Sequence, residues 1–186
     1  MKRQPLLMML LVILLTGCSS EDRTVERGMI LRDKLLSAGT VSFLCNVTAD
    51  YGETCCSFAL QCEQNDDHLL FEVKEPESIA GIQGKISNQS GALTFEDTVL
   101  YFALLADGQL SPVSAPWIVI NTLKSGYLRS VCGEEDGLRI TLDDSFQEEA
   151  LMVDVWTDEA DIPICADILY KGQRVLSVRM ENVLIQ

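Results

Sequence analysis

The chain has 186 residues, with 14 lysines and arginines against 28 aspartates and glutamates, a formal net charge of −14. So large an acid excess argues against nucleic acid as a partner, because phosphates demand Lys and Arg. It also argues against a domain that lies flat on anionic lipid, and is most simply read as solubility and colloidal repulsion. No internal repeat or low-complexity stretch divides the chain, and about 160 residues suffice for one domain with a real core.

At the N-terminus, Lys2 and Arg3 precede an unbroken apolar run from Leu6 to Leu15. A charged start, an apolar run and small residues behind it form the layout of an export signal. The run is too short for a permanent membrane helix, which needs roughly 20 residues. Leu15-Thr16-Gly17-Cys18 resembles the lipobox of bacterial lipoprotein precursors. That resemblance implies cleavage between Gly17 and Cys18 and a diacylglyceryl thioether on the Cys18 sulfur. A thiolate is the nucleophile that accepts the lipid, and two acyl chains hold a domain stably on a membrane where one does not. The boundaries expected are a signal over 1–17, the lipidated cysteine with a polar tether over 18–23, and a domain over 24–186. Loss of residues 1–17 removes Lys2 and Arg3 but no acid, leaving 12 basic against 28 acidic residues and a net charge of −16.

The first element expected is a helix over about 24–37, with Val25, Met29 and Leu36 toward the core, Leu35 widening that face and Arg32 reaching to solvent. Gly39 is a plausible stop. Alternation then predicts strands: Val41, Phe43, Cys45 and Val47 on one, and Cys56, Phe58, Leu60 and Cys62 on the return after a turn at Asp50-Tyr51-Gly52. Asn65-Asp66-Asp67-His68 reads as a polar turn into Leu69–Val73. Shorter strands fit around 82–87, 92–95 and 99–104. Ser114-Ala115-Pro116 can cap and open a second helix, carried by Trp117, Ile120, Leu123 and Tyr127 and ending near Gly126 or Gly133. Four more strands follow, around 138–142, 151–156, 162–168 and 175–184. Helix, strands, helix, strands is an α+β order, with helices packed on one face of a large antiparallel sheet.

This order of elements resembles the LolA/LppX-type lipoprotein superfamily over roughly residues 24–185. The resemblance implies a curved antiparallel sheet, an incomplete barrel, packed against two helices and able to hold a greasy ligand between them. The segments Pro76–Ile82, Ser111–Trp117 and Ala166-Asp167-Ile168 also look like lipoproteins of gut Firmicutes. Spore-germination lipoproteins of clostridia are similar in layout, and there the fold serves as a protein-interaction piece. A soluble carrier must be free to shuttle, whereas an anchor on Cys18 would hold this chain in place. The expectation is a membrane-anchored, extracytoplasmic protein without enzymatic activity. Its partners would be the membrane, through the lipid on Cys18, and either a hydrophobic ligand such as a lipid or acyl chain, or an envelope protein.

Residues that could carry chemistry are sparse. A Ser-His-Asp triad would have to use His68, the single histidine, which lies in an acidic turn. A zinc site needs three or four Cys and His ligands, and no CxxC pair exists. Glu134-Glu135-Asp136-Gly137 and Asp143-Asp144 lack the spacing that folds successive oxygens around calcium. No catalytic residue, metal or cofactor is expected. Trp117 reads as core, and Trp156 lies on the polar face of its strand, where it could line a groove or pack under a loop.

Six cysteines beyond Cys18 can pair in fifteen ways, and an exported domain permits disulfides. A tight turn at 50–53 would set Cys45 near residues 55–58, giving it Cys55 or Cys56 as a partner. Adjacent residues on a strand point to opposite faces, so only one of the two could serve. Cys62 with Cys132 is the further pairing considered. All six could equally be free thiols, the buried ones acting as small apolar residues.

Overall fold

The structure, a computed structural model, describes residues 19–52, 55–65, 67–87, 90–95, 98–103, 105–106, 109–147 and 150–186. The expected signal over 1–17, its cleavage point at Gly17 and the lipid acceptor Cys18 lie outside them. Helix α1 (Ser19–Ser37) leads into strands β1 (Val41–Asp50), β2 (Cys55–Gln64), β3 (Leu69–Glu75), β4 (Gln83–Ile86), β5 (Ser90–Phe95) and β6 (Thr98–Ala103). A small hairpin, β7 (Leu105–Ala106) and β8 (Gln109–Leu110), precedes helix α2 (Ala115–Ser125). The chain closes with β9 (Tyr127–Glu134), β10 (Gly137–Asp143), β11 (Met152–Thr157), β12 (Pro163–Tyr170) and β13 (Gln173–Ile185).

Eleven strands form one curved, unclosed antiparallel sheet in the order β6-β5-β4-β3-β2-β1-β13-β12-β11-β10-β9. The expected α+β class and two-helix architecture are therefore observed. The last strand returns to the middle of the sheet, where β13 pairs with β1 along Val41–Ala49. Period-two alternation explains this core directly. Val41, Phe43, Cys45, Val47 and Ala49 are buried, while the residues between them face outward.

The helices depart from the expected reading. Gly28, Leu31 and Leu35 form the buried face of α1, continued by Ala38 just past its end, and the predicted core stripe is exposed: Val25 by 41%, Met29 by 46% and Leu36 by 56%. Both sets have helical spacing. The difference is Gly28, which counts as a gap in a hydrophobic pattern but lets α1 close on β9 and β10. A Cβ there would lie 3.1 Å from the Val131 Cγ2 methyl. Residues 19–23, read as a polar tether, are helical. Ser-Ser-Glu-Asp there is the composition favoured at a helix start, where acids complement the positive end of the dipole.

Helix α2 is buried nearly all round, from Ala115 through Ile120 and again at Thr122 and Leu123, as expected for a helix enclosed by a sheet. Pro116 sits in its first turn. Ser114 precedes it without a side-chain cap, its hydroxyl donating instead to Ser111 O at 2.6 Å. The helix stops at Ser125, where the Gly126 N–H donates to Thr122 O. Tyr127, expected on the helix, is the first residue of β9. Five strands, not four, therefore follow α2.

Candidate functional site

Two places could carry function: the space between the helices and the sheet, and the outer face of the sheet. The first is where a hydrophobic ligand would sit. Trp117, Ile120 and Leu123 of α2 and Leu31 and Leu35 of α1 fill it from the helix side. Leu138, Ile140, Leu142, Val153, Val155, Ile168, Leu176 and Val178 fill it from the sheet. Among the described residues, the void bordered by Gly28, Met29, Arg32, Leu123, Leu128, Ile140 and Leu142 amounts to about 10 Å³. That is at the threshold for a single water, whereas small-molecule sites occupy about 300–1,000 Å³.

Arg32 borders this void. It was expected to reach into solvent, but it turns toward α2. Its Nε donates to Leu123 O and its Nη2 to Gly126 O, both at 2.8 Å. These carbonyls belong to the end of α2, where helical C=O groups lack partners and the dipole is negative. Partial burial lowers the Arg32 pKa below the usual arginine value. A planar guanidinium reaches two carbonyls at once where an ammonium would reach one.

The outer face over β10–β13 is polar, and its carboxylates are partnered, although the buried Arg139 Nε has no hydrogen-bond partner among the described residues. Thr141, Asp154, Asp167 and Ser177 stand opposite one another across four strands. Directly opposed carboxylates repel, and each is compensated. Asp154 accepts from Thr141 Oγ1 and Arg139 Nη2, both at 2.6 Å. Asp167 accepts from Ser177 Oγ at 2.7 Å and Arg174 Nη1 at 3.4 Å. The hydrogen bond to Asp154 raises the Arg139 pKa, and the same guanidinium lies 5.2 Å from the centre of the half-buried Trp156 ring. Trp156 thus borders an open groove of about 520 Å³, with Cys165, Arg174 and Arg179 beside it and the Glu134-Glu135-Asp136 turn at one side. Trp117, by contrast, is core.

The cysteines are not where the expected pairings need them. Asp50 pairs with Cys55, so four residues connect β1 and β2, and Cys45 faces Leu60. Cys56 faces Ala49 near the hairpin end, four residues along the strand from Cys45's partner. Cys62 is buried opposite Phe43 and Phe71. Cys132 is exposed on β9, at the far edge of the sheet, with five strands between β2 and β9. The structure therefore separates Cys45 from Cys56 and Cys62 from Cys132, and brings Cys45 and Cys62 together at an Sγ–Sγ distance of 3.8 Å. All six described cysteines are free thiols.

His68 belongs to a turn organised by Asn65, whose Oδ1 accepts the N–H groups of Asp67 and His68 at 3.1 Å. Asp143 pairs with Arg129, and Asp144 Oδ1 accepts the Leu151 N–H at 2.8 Å. Among the described residues, no three His, Cys, Asp or Glu side chains are grouped to hold a metal.

No family model and no curated protein matches the chain. Solved structures do. A DUF1329 family protein from Desulfovibrio piger is similar over 89% of this chain and 93% of its own, with 8% identity and a TM-score of 0.50. A putative outer membrane lipoprotein-sorting protein domain from Vibrio parahaemolyticus is similar over 90% and 94%, with 8% identity and a TM-score of 0.49. The GerS lipoprotein of Clostridioides difficile, solved in complex with the CwlD amidase, gives 87% and 95% coverage, 13% identity and a TM-score of 0.43. The chain therefore shares its fold with the DUF1329 family structure, and LolA-superfamily and LppX structures stand among its neighbours.

Proposed function

We propose that the chain is a lipid-anchored extracytoplasmic lipoprotein that works as a protein-interaction module, with a filled interior and no enzymatic activity. The anchor reading rests on Leu15-Thr16-Gly17-Cys18 behind the apolar run. The interaction reading rests on one observation: among the described residues, the apolar side chains between helices and sheet are buried in one cluster, and the void beside Arg32 and Leu123 is about 10 Å³, too little for an acyl chain there. Large apolar side chains are presented outside. Val25, Met29 and Leu36 line α1, and Val99, Leu100 and Tyr101 line the edge strand β6, where unpaired backbone groups can accept a partner strand.

Two measurements test the reading together. The protein extracted from its host's membranes is analysed by native mass spectrometry and titrated with a fluorescent fatty acid. The expected result is the chain carrying lipid at Cys18 alone, with no saturable probe uptake. Saturable uptake in the micromolar range would overturn the interaction reading in favour of a ligand-binding one. A photo-crosslinker at position 36 or 101 in living cells should give a protein adduct of discrete mass, and one at Gln173 should not.

A further inference from the structure

We infer that Cys45 and Cys62 are the disulfide-forming pair of this protein, bonded in the extracytoplasmic chain before β1 and β2 close over them. Three observations carry the assignment. The two Sγ atoms are 3.8 Å apart, already in contact. Cys45 faces Leu60 across the β1–β2 ladder, so Cys62 is its diagonal neighbour on the same face, and both side chains point into the core. Each is 2% exposed, beyond reach of a solvent oxidant once the sheet has formed. The other four described cysteines are spread over β2, β9 and β12, three of them on the outer surface or its turns.

Bond formation needs the sulfurs to approach from contact distance to about 2.05 Å, with Cα atoms about 4.4–6.8 Å apart. Diagonal residues on neighbouring antiparallel strands stand about 7–8 Å apart, so closure needs a local shift of the two strands as well as rotation about χ1, and a chain whose ladder is not yet set permits that shift. The chemistry is thiol–disulfide exchange with an external disulfide, either a small molecule or a protein. One thiolate attacks that disulfide and expels a thiol, leaving a mixed disulfide. The second thiolate then attacks the protein sulfur, forms the Cys45–Cys62 bond and expels the second thiol. Two protein thiols are oxidised, one external disulfide is reduced, and the two protons pass to the leaving thiolates. The hydrogen bond between the Cys62 thiol and Cys45, together with burial, holds the Cys62 pKa well above its ordinary value in the folded state, and a protonated thiol is a poor nucleophile. Both effects place the exchange in the unfolded chain.

The test uses the full chain extracted in detergent, denatured, and refolded in a buffer of reduced and oxidised glutathione. Free thiols are then alkylated, and the unreduced protein is digested and mapped by mass spectrometry. A cross-linked peptide pair carrying Cys45 and Cys62 is expected, with Cys55, Cys56, Cys132 and Cys165 alkylated. Alkylation of both Cys45 and Cys62 in the refolded protein, or a bond from either to a different cysteine, would overturn the assignment. The same oxidant added to folded, reduced protein should cross-link the pair at least tenfold more slowly. Equal rates would overturn the placement of the step in the unfolded chain. An alkylated Cys18 peptide would count against the lipid anchor and leave the pairing untouched, so the two readings fail separately.

Discussion

Replacing Arg32 by methionine keeps most of the apolar stem and removes the two hydrogen bonds that tie α1 to the end of α2. Hydrogen bonds to a charged group contribute about 1.5–3 kcal/mol each. The site is only partly buried, so water re-enters and solvates the freed carbonyls of Leu123 and Gly126, discounting the gross sum. A net destabilisation of about 2–4 kcal/mol remains, which includes the loss of a cation at a helix C-terminus. For a chain of this size it corresponds to a fall in Tm of about 5–12 °C. Arg32→Lys restores the charge but reaches a single carbonyl, so it should recover about half the loss. Urea unfolding followed by circular dichroism reads both variants against wild type. If Arg32→Met lies within about 0.5 kcal/mol of wild type, the size of an ordinary surface change, Arg32 faces solvent and the helix contact described here is wrong.

Leu35→Ala should cost about 2–5 kcal/mol, as for a fully buried leucine, whereas Leu36→Ala should stay within about 0.5 kcal/mol. Reversed magnitudes in the same urea assay would restore the helix face expected from the sequence. Gly137→Ala should prevent folding or lower stability by several kcal/mol, because the backbone there has φ +158 and a Cβ would run into the Thr157 carbonyl. A soluble, wild-type-like Gly137→Ala protein would contradict the close approach of the β9–β10 turn to β11. Cys18→Ala should release the protein from membranes. Retention in the membrane fraction, with the signal shown by mass to be cleaved, would count against the anchor.

The strands were readable in the sequence because a half-buried strand writes its environment at every second residue. Val41, Phe43, Cys45 and Val47 announce the inner face without any knowledge of their neighbours. The face of α1 was not readable for the opposite reason. Its deepest contact is made by Gly28, which has no side chain to count, and Arg32 is drawn inward by carbonyls about ninety positions away in the chain. Strand β9 was hidden because Tyr127 falls at helical spacing from Leu123, and because most of its residues are exposed. The Cys45 pairing missed by the place of one connection: residues 51–54, not 50–53, join β1 to β2, which sets Cys45 opposite Leu60, while Cys62 and Cys132 are parted by five strands whose order the sequence does not display. The polar row on the outer face was visible as alternation, but its registration across four strands is a property of the sheet alone.

The helix that begins at Ser19 has a mechanical consequence once Cys18 carries the proposed lipid. A lever 19 residues long, about 28 Å at 1.5 Å per residue, is fastened along its later turns to the sheet and begins one residue from the anchor. The domain is then held with no slack. Its attitude to the bilayer is set by α1, and the turns around that end face the headgroups first: the β9–β10 turn, next to Gly133 of β9, which lies beside Thr24, and the β11–β12 turn, whose Asp161 binds Arg27. Both turns are acidic, so an anionic surface pushes them away while the acyl chains hold on, and the protein stands off the membrane on its own helix.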